Sequence, residues 1–205
     1  MKNNKGTLIV ISGPSGSGKG TVVKVLKEIM PGLGVSVSAT TRLPREGERE
    51  GVEYYFVTRD EFERMLSEDE ILEHTTYCNN YYGTPKKEAE RITGEGRDLV
   101  LEIEVDGAFQ VKKKFPDAVT VMLIPPSISE LEKRLRTRGT ESEDIVLSRL
   151  ERAKEEIKLA SNYDYVVVNE DGGILECAEQ IKKIIAAEKH RSSRMKETIN
   201  NFINN

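Results

Sequence analysis

A glycine-rich segment near the start of the chain has the residue types and spacing of a phosphate-binding loop. Residues 13–19 read G-P-S-G-S-G-K and match the pattern G-x-x-x-x-G-K. Glycines permit positive φ angles and close approach, so backbone N–H groups can point at phosphate oxygens, and Lys19 can reach the β- and γ-phosphates of a nucleotide. Gly20 stands where Ser or Thr is usual, so we expect Mg²⁺ to be held through water or through Thr21. The alternative is a glycine-rich turn with no ligand.

Two arginines form a second candidate site for an anion. Arg42 and Arg45 lie three residues apart, separated by a proline, after the end of a predicted strand. A guanidinium group can bind phosphate through two parallel hydrogen bonds, so the pair predicts a clamp for a second phosphate. The alternative is a solvated charged loop.

Strands and helices alternate around both candidate sites. The β-branched run at 7–12 is typical of a buried parallel strand, and apolar residues at helical spacing follow the glycine-rich loop. Further buried strands are predicted at 99–105, 119–124 and 165–169. This alternation indicates an α/β fold with a mainly parallel sheet flanked by helices.

Two regions interrupt the alternation. Strand-like pieces are bunched within residues 35–92, and an arginine-rich helix pair occupies 134–160. The patterns D-x-x-E at 60–63 and S-x-x-E at 127–130 predict helix starts there. The remaining predicted elements are strands at 35–38, 53–58 and 71–78, helices at 60–67, 85–91, 127–139, 143–159 and 174–189, and a fraying end at 191–205.

The composition excludes several classes of protein. The 205 residues include 31 basic and 35 acidic side chains, a net charge of −4, whereas a general nucleic-acid-binding surface is usually basic. No apolar run approaches the roughly 18 residues of a membrane span. The two cysteines form no metal-spaced pair. We therefore expect a cytoplasmic protein, without nucleic-acid or membrane partners, whose positive charge toward anions is confined to a cleft.

Four motifs together resemble those of the bacterial guanylate kinase family. They are G-P-S-G-S-G-K-G-T at 13–21, S-x-T-T-R-x-P-R-x-G-E at 38–48, N-Y-Y-G-T at 80–84 and V-N-x-D at 168–171. They follow the family's order and spacing within residues 7–189. The resemblance implies one domain over residues 1–205, built as a P-loop kinase core with a GMP-binding insertion and a helical lid. The implied parts are the core at 5–34, 93–133 and 163–189, the GMP-binding region at 35–92, the lid at 134–162 and a C-terminal tail at 190–205.

The resemblance also implies which residues bind GMP. Glu73 matches the residue that reads guanine, and a carboxylate suits the adjacent N1–H and N2–H₂ donors of that base. Glu102 and Glu104 stand where the family usually has two aspartates, and we expect both to share one strand face at the ligand-binding edge of the sheet. Their implied roles are nucleotide contact or Mg²⁺ binding through water, and the alternative is that they only line the surface. The other implied GMP-binding residues are Arg42, Arg45, Tyr54 and Tyr82 toward the phosphate, and Ser38 and Thr84 toward guanine O6.

On the ATP side, the resemblance implies phosphate contacts from the loop and from the lid. The loop residues are Gly13, Pro14, Ser15, Gly16, Ser17, Gly18, Lys19, Gly20 and Thr21. Arg134 and Arg138 share one helical face and Arg149 follows on the next helix, whereas Arg136 and Arg152 are expected to be solvated. Asn169 matches a residue that approaches adenine. The implied catalytic residues are Lys19, Arg42, Arg138 and Arg149.

The implied activity is transfer of the γ-phosphoryl group of ATP to GMP, with Mg²⁺ as cofactor. Other possibilities are a kinase for another small molecule such as ribose bisphosphate, a phosphopeptide-binding scaffold and a P-loop regulator or GTPase. The guanine-binding set Ser38, Glu73 and Thr84 disfavours the first, the intact Lys19 disfavours the second, and the motif at 38–48 disfavours the third. The sequence leaves open the use of dGMP and whether the protein is a monomer or a homo-oligomer.

Overall fold

Two sheets organise the part of the chain that the structure, a computed structural model, describes: residues 5–137 and 142–204. The strands are β1 (Leu8–Ser12), β2 (Gly34–Val35), β3 (Ser38–Thr40), β4 (Tyr54–Phe56), β5 (Ile71–Tyr77), β6 (Asn80–Pro85), β7 (Leu99–Glu102), β8 (Val119–Ile124) and β9 (Tyr165–Val168). The helices are α1 (Lys19–Ile29), α2 (Arg59–Ser67), α3 (Lys86–Gly94), α4 (Val105–Lys114), α5 (Ile128–Thr137), α6 (Glu143–Lys158), α7 (Ile174–Glu188) and α8 (Lys196–Asn204).

The larger sheet is parallel, with the strand order β2-β7-β1-β8-β9. Its central strand β1 alternates between two apolar layers. Ile9 and Ile11 pack in a cluster with residues of α1 and α7, whereas Val10 packs in a second cluster with residues of α3 and α4. The sheet therefore lies between two helical layers, which confirms the predicted α/β class and its mainly parallel sheet.

The smaller sheet lies within the predicted GMP-binding region and has the order β4-β3-β6-β5. β3 pairs with β4 in parallel, while the β3–β6 and β5–β6 pairs are antiparallel. The β5–β6 hairpin turns through Cys78 and Asn79, whose φ angles of 46° and 61° are left-handed. This hairpin presents residues 71–85 toward the carboxyl end of the larger sheet.

Helices α5 and α6 pack against each other through their own small apolar cluster, which includes Leu131, Leu135, Val146 and Leu150. The predicted lid boundary at residue 134 falls inside α5. Among the residues that the structure describes, no helix is both long enough and apolar enough to cross a membrane.

Several predicted element boundaries were wrong. The predicted strand at 35–38 is divided between the two sheets, in β2 and β3. The predicted strand at 99–105 ends at Glu102, because α4 begins at Val105. Helix α2 is capped not by Asp60 but by Thr58, whose side chain accepts from the Glu61 N–H. The sequence did not predict β6 or α4, and the segment expected to fray contains α8.

Candidate active site

A cavity of about 660 Å³ opens where the carboxyl ends of β1 and β7 face the smaller sheet and α6. The carboxyl edge of a parallel sheet is where α/β proteins bind their ligands. Predicted site residues that line the cavity are Ser15, Lys19, Ser38, Arg42, Arg45, Tyr54, Glu73, Tyr82, Glu102, Glu104 and Arg149. Both candidate anion sites therefore face one space.

The glycine-rich loop connects β1 to α1 and begins the helix at Lys19. Gly18 has a φ of 94°, and a Cβ there would lie 2.4 Å from Nδ2 of Asn169, so the loop requires glycine at this position. The Lys19 ammonium donates to the Gly13 carbonyl at 2.7 Å. The N-terminal end of α1 carries the positive end of the helix dipole, and together with the Lys19 ammonium it favours an anion at the loop.

Asn169 holds this loop from behind. Its side-chain Nδ2 donates to the Ser17 carbonyl at 2.8 Å, and Nη2 of Arg134 donates to the Asn169 carbonyl at 2.9 Å. Asn169 is only 3% exposed, so its side chain lies inside the protein beside the loop. Its approach to adenine stays a prediction, while the observed contact gives it a part in shaping the phosphate loop.

The carboxylate of Glu102 lies beside the glycine-rich loop and is a candidate metal ligand. Oε1 of Glu102 lies 3.3 Å from the place that a Cβ on Gly20 would occupy. The protein atoms around the Glu102 carboxyl reduce its hydration and so raise its pKa, and the positive charge of Lys19 opposes this rise. Thr21 is exposed on the first turn of α1. The described residues contain no cluster of three or more His, Cys, Asp or Glu able to hold a metal. Mg²⁺ commonly binds to one or two carboxylates plus substrate phosphates, and Glu102 beside the loop is one carboxylate of that kind.

At the other end of the cavity, Glu48 holds Arg42 in place. Nη1 and Nη2 of Arg42 donate to the two oxygens of Glu48 at 2.9 Å each, and Nη1 also donates to the Leu43 carbonyl at 2.7 Å. The Arg45 backbone N–H donates to Oε2 of Glu48 at 2.8 Å. The guanidinium also lies 5.4 Å from the ring centroid of Tyr54. These contacts raise the pKa of Arg42 and lower the pKa of Glu48, so both stay charged.

Glu48 is a functional candidate that the sequence reasoning missed. It closes the quoted motif at 38–48, yet we gave it no role. The one sequence signal for Glu48 is its position six residues after Arg42, with a proline between them that favours a turn. The structure shows that this acid binds the guanidinium group of Arg42 and the backbone N–H of Arg45.

Glu73 lines the cavity and forms a buried polar pair with Thr84, which does not itself reach the cavity. Glu73 is 4% exposed and Thr84 is 1% exposed. The Thr84 hydroxyl donates to Oε1 of Glu73 at 2.7 Å. Burial raises the pKa of the Glu73 carboxyl, and the bond from Thr84 opposes that shift. A buried carboxylate with acceptor capacity to spare suits a ligand that brings its own N–H donors.

Glu104 lines the cavity from the start of α4 and not from strand β7, where it was expected. It does not share a strand face with Glu102, because β7 ends at Glu102 and Glu104 is the residue immediately before α4. Oε2 of Glu104 lies 3.9 Å from Nη2 of Arg152, a lid residue that also donates to Glu156 at 2.7 Å. The Arg152 side chain is 60% exposed and pairs with Glu156, as expected of a solvated helix residue, and it also lines the cavity.

Helix α6, in the predicted lid, contributes an arginine to the glycine-rich loop. Nη1 of Arg149 on α6 donates to the Ser15 hydroxyl at 3.2 Å. Arg136, by contrast, pairs with Glu132 and Glu143 on the surface. Arg138 lies outside the described residues. The lid and the loop are therefore joined at Ser15, on the side of the cavity that holds Lys19.

The parallel sheet and the glycine-rich loop between β1 and α1 define a class of protein: an α/β phosphotransferase of the P-loop kind. The family model described as "Guanylate kinase" matches residues 5–188. A guanylate kinase from Desulfitobacterium hafniense is 48% identical over 95% of this chain and 96% of its own length. One from Lactococcus lactis is 52% identical over 94% of this chain and 93% of its own. The crystal structure of guanylate kinase from Anaplasma phagocytophilum is 38% identical, has a TM-score of 0.73 and covers 93% of this chain and 89% of that one.

The chain belongs to the guanylate kinase family. It is accordingly a nucleoside monophosphate kinase that transfers the γ-phosphoryl group of ATP to GMP, giving ADP and GDP. ATP and GMP are its substrates, and kinases of this kind work with a divalent metal ion.

Proposed function

We propose that the cavity binds GMP at the end formed by the smaller sheet, and the phosphates of ATP at the end formed by the loop. The observation that carries this assignment is the buried Glu73, which lines the same cavity as Lys19 and accepts a hydrogen bond from Thr84 behind it. Glu73 would accept from N1–H and N2–H₂ of guanine. Adenine offers no such pair of donors at that edge, so the base is read by donors that only guanine supplies.

Arg42 keeps N–H donors that its bonds to Glu48 do not use, and these would bind the phosphate of GMP. A guanidinium has five N–H donors, and the bonds to Glu48 and Leu43 occupy three of them. The two others, on Nε and Nη2, point to one side of the group. Arg42 also hydrogen-bonds with Tyr82, so a phosphate that accepts from both donors would share or replace that bond. Tyr82 lies close enough to contribute to the raised pKa of Arg42, and its hydroxyl would add a donor at this end.

Lys19, the loop N–H groups and the lid arginines would bind the phosphates of ATP. Arg149 already bonds to Ser15 of the loop, and Arg138 follows α5 in sequence. We assign the metal to Mg²⁺, held by Glu102 or Thr21 directly or through water, and its contribution when bound is to neutralise phosphate charge. These groups spread the negative charge of the transferring phosphoryl group.

The reaction needs positioning more than covalent help from the protein. An oxygen of the GMP phosphate attacks the γ-phosphorus, the new P–O bond forms, and the bond to the bridging oxygen of ADP breaks. Because the second pKa of a phosphate monoester is about 6, the attacking oxygen is already ionised near neutral pH and needs no general base. Closure of the lid excludes the water that would otherwise accept the phosphoryl group.

Substitutions at the two ends of the cavity test this assignment. Arg42→Lys should raise the KM for GMP by about tenfold or more, since Lys cannot form the two parallel bonds, and should leave the KM for ATP unchanged. Lys19→Met should chiefly lower kcat. Arg136→Ala is the matched control, because its partners Glu132 and Glu143 lie on the surface. An Arg42→Lys variant that raised the KM for ATP but not the KM for GMP would reverse the assignment.

A further inference from the structure

Helix α4 holds strand β5 at the point where that strand carries Glu73. Oε1 of Gln110 accepts from the His74 N–H at 3.1 Å, and Nε2 of Gln110 donates to the His74 carbonyl at 2.9 Å. Lys114, four residues further along α4, donates to the Ile71 carbonyl at 2.9 Å. Because β5 is an edge strand of the smaller sheet, these side chains bind the backbone edge that a neighbouring strand would otherwise pair.

The ladder between β5 and β6 is irregular at the same place. Ile71 lies opposite Pro85 and His74 lies opposite Gly83, so three steps along β5 match two along β6. A bulge re-aims the side chain that it carries away from the direction of a regular ladder. Glu73 lies inside the irregular segment, and it is buried together with its two predecessors. The sheet alone therefore does not fix the direction of the carboxylate.

Gly107, in the first turn of α4, leaves the space that the Glu73 carboxylate occupies. A Cβ at position 107 would lie 2.6 Å from Oε2 of Glu73 and 3.3 Å from its carboxyl carbon. Oε1 is held by the Thr84 hydroxyl, so both oxygens have defined places.

We infer that Gly107 and Gln110 are specificity-determining positioning residues for the base of the acceptor, acting through Glu73. Gly107 leaves room for the carboxylate, and Gln110 fixes the backbone next to it. This inference rests on the proposed guanine-binding role of Glu73. It assigns the choice of base partly to a core helix, outside the sheet that carries Glu73 and Thr84.

The end of a glutamate side chain is flexible, so a methyl group at position 107 should displace the carboxylate without unfolding the protein. Alanine is also the better helix former, which supports the fold of the variant. We therefore expect Gly107→Ala to raise the KM for GMP about tenfold or more, as for a misplaced charged hydrogen bond, and to leave the KM for ATP and the Tm near those of the wild type. A merely structural role would lower the Tm and leave the KM for GMP unchanged.

Gly94→Ala is the matched control, because a Cβ at Gly94 would meet no atom within 4 Å. Gln110→Glu is a second variant. It keeps the size of the side chain but removes the donor to the His74 carbonyl, and we expect a smaller rise in the KM for GMP. Wild-type GMP kinetics in both Gly107→Ala and Gln110→Glu would overturn the inference.

A double substitution separates this inference from the proposed function. In a Glu73→Ala background, Gly107→Ala should add nothing to the KM for GMP, because the carboxylate it displaces is gone. An equal further rise in that background would refute action through Glu73. If Glu73→Ala itself bound GMP like the wild type, the proposed role of Glu73 would fail, whereas an impaired Glu73→Ala beside an unimpaired Gly107→Ala would refute only the role of α4.

Discussion

Replacing Glu73 by glutamine changes the charge and one acceptor of the base-binding pair while nearly keeping its shape. The remaining side-chain oxygen can still accept from Thr84 or from guanine, but the new NH₂ group faces an N–H donor of the base. Glu73 is 4% exposed, so water does not replace the lost acceptor. We expect Glu73→Gln to weaken GMP selectively and to leave ATP binding intact.

The size of the effect follows from the bonds lost. Each hydrogen bond to a charged group contributes about 1.5–3 kcal/mol, and Glu73→Gln removes one such bond and the charge behind the other. A loss of about 3 kcal/mol corresponds to roughly a hundredfold fall in kcat/KM for GMP. Initial-rate measurements that vary GMP at saturating ATP, and ATP at saturating GMP, separate the two substrates.

The pH dependence provides a second signature. Burial raises the pKa of Glu73, so the carboxylate gains a proton as the pH falls through that raised value, and the KM for GMP should rise. The phosphate of GMP titrates near pH ~6 as well, but equally in both proteins, so the ratio of wild-type to variant KM isolates Glu73. The folded state favours the protonated acid and loses stability as the pH rises through this range, so Glu73→Gln should melt at or above the wild-type Tm at neutral pH.

A hundredfold loss for GMP with unchanged ATP kinetics and a flat ratio between the two pH profiles would refute the titration argument alone. Near wild-type GMP kinetics in Glu73→Gln would refute the assignment of Glu73 to the base. Thr84→Ser is the control, since it retains the hydroxyl that donates to the carboxylate and should stay close to the wild type.

Substitutions at three further positions address the remaining contacts. Glu48→Gln should raise the KM for GMP because it releases Arg42, with partial recovery in Glu48→Asp, and unchanged KM values would show that Arg42 needs no such support. Gly16→Ala should lower both kcat and the Tm, because Gly16 has a φ of 91° and a Cβ there would lie 2.9 Å from Leu131. An ADP-release assay measures kcat and thermal melting measures the Tm, and wild-type values of both would contradict this prediction. Glu102→Gln should raise the Mg²⁺ concentration for half-maximal rate, which a titration from EDTA-treated protein measures, and an unchanged value would exclude Glu102 from metal binding.

The phosphate loop was predictable because its signals are local. A β-branched run, a glycine-rich turn and an amphipathic helix follow one another without a gap, and β1 and α1 lie where they were expected. The start of α5 was also predictable, since the Ser127 hydroxyl accepts from the Glu130 N–H at 3.1 Å, as in other capping boxes.

Elements that depend on distant packing were missed. Helix α4 contains Gly107, which has low helix propensity, and begins with the β-branched Val105, so its start extends the preceding strand pattern. The hairpin turn before β6 uses Cys78 and Asn79 at positive φ without a glycine, which removes the usual signal. The same dependence on packing hid the contacts of Gln110 and Gly107, because both partners of each contact lie far apart in sequence.

The central claim, that the cavity reads guanine on the phosphoryl acceptor, is tested most directly by an ADP-release assay with MgATP that compares GMP, AMP, UMP and CMP. We predict rapid turnover with GMP and background rates with the other three, together with loss of this preference in Glu73→Gln. Equal turnover of AMP and GMP by the wild type would contradict the claim.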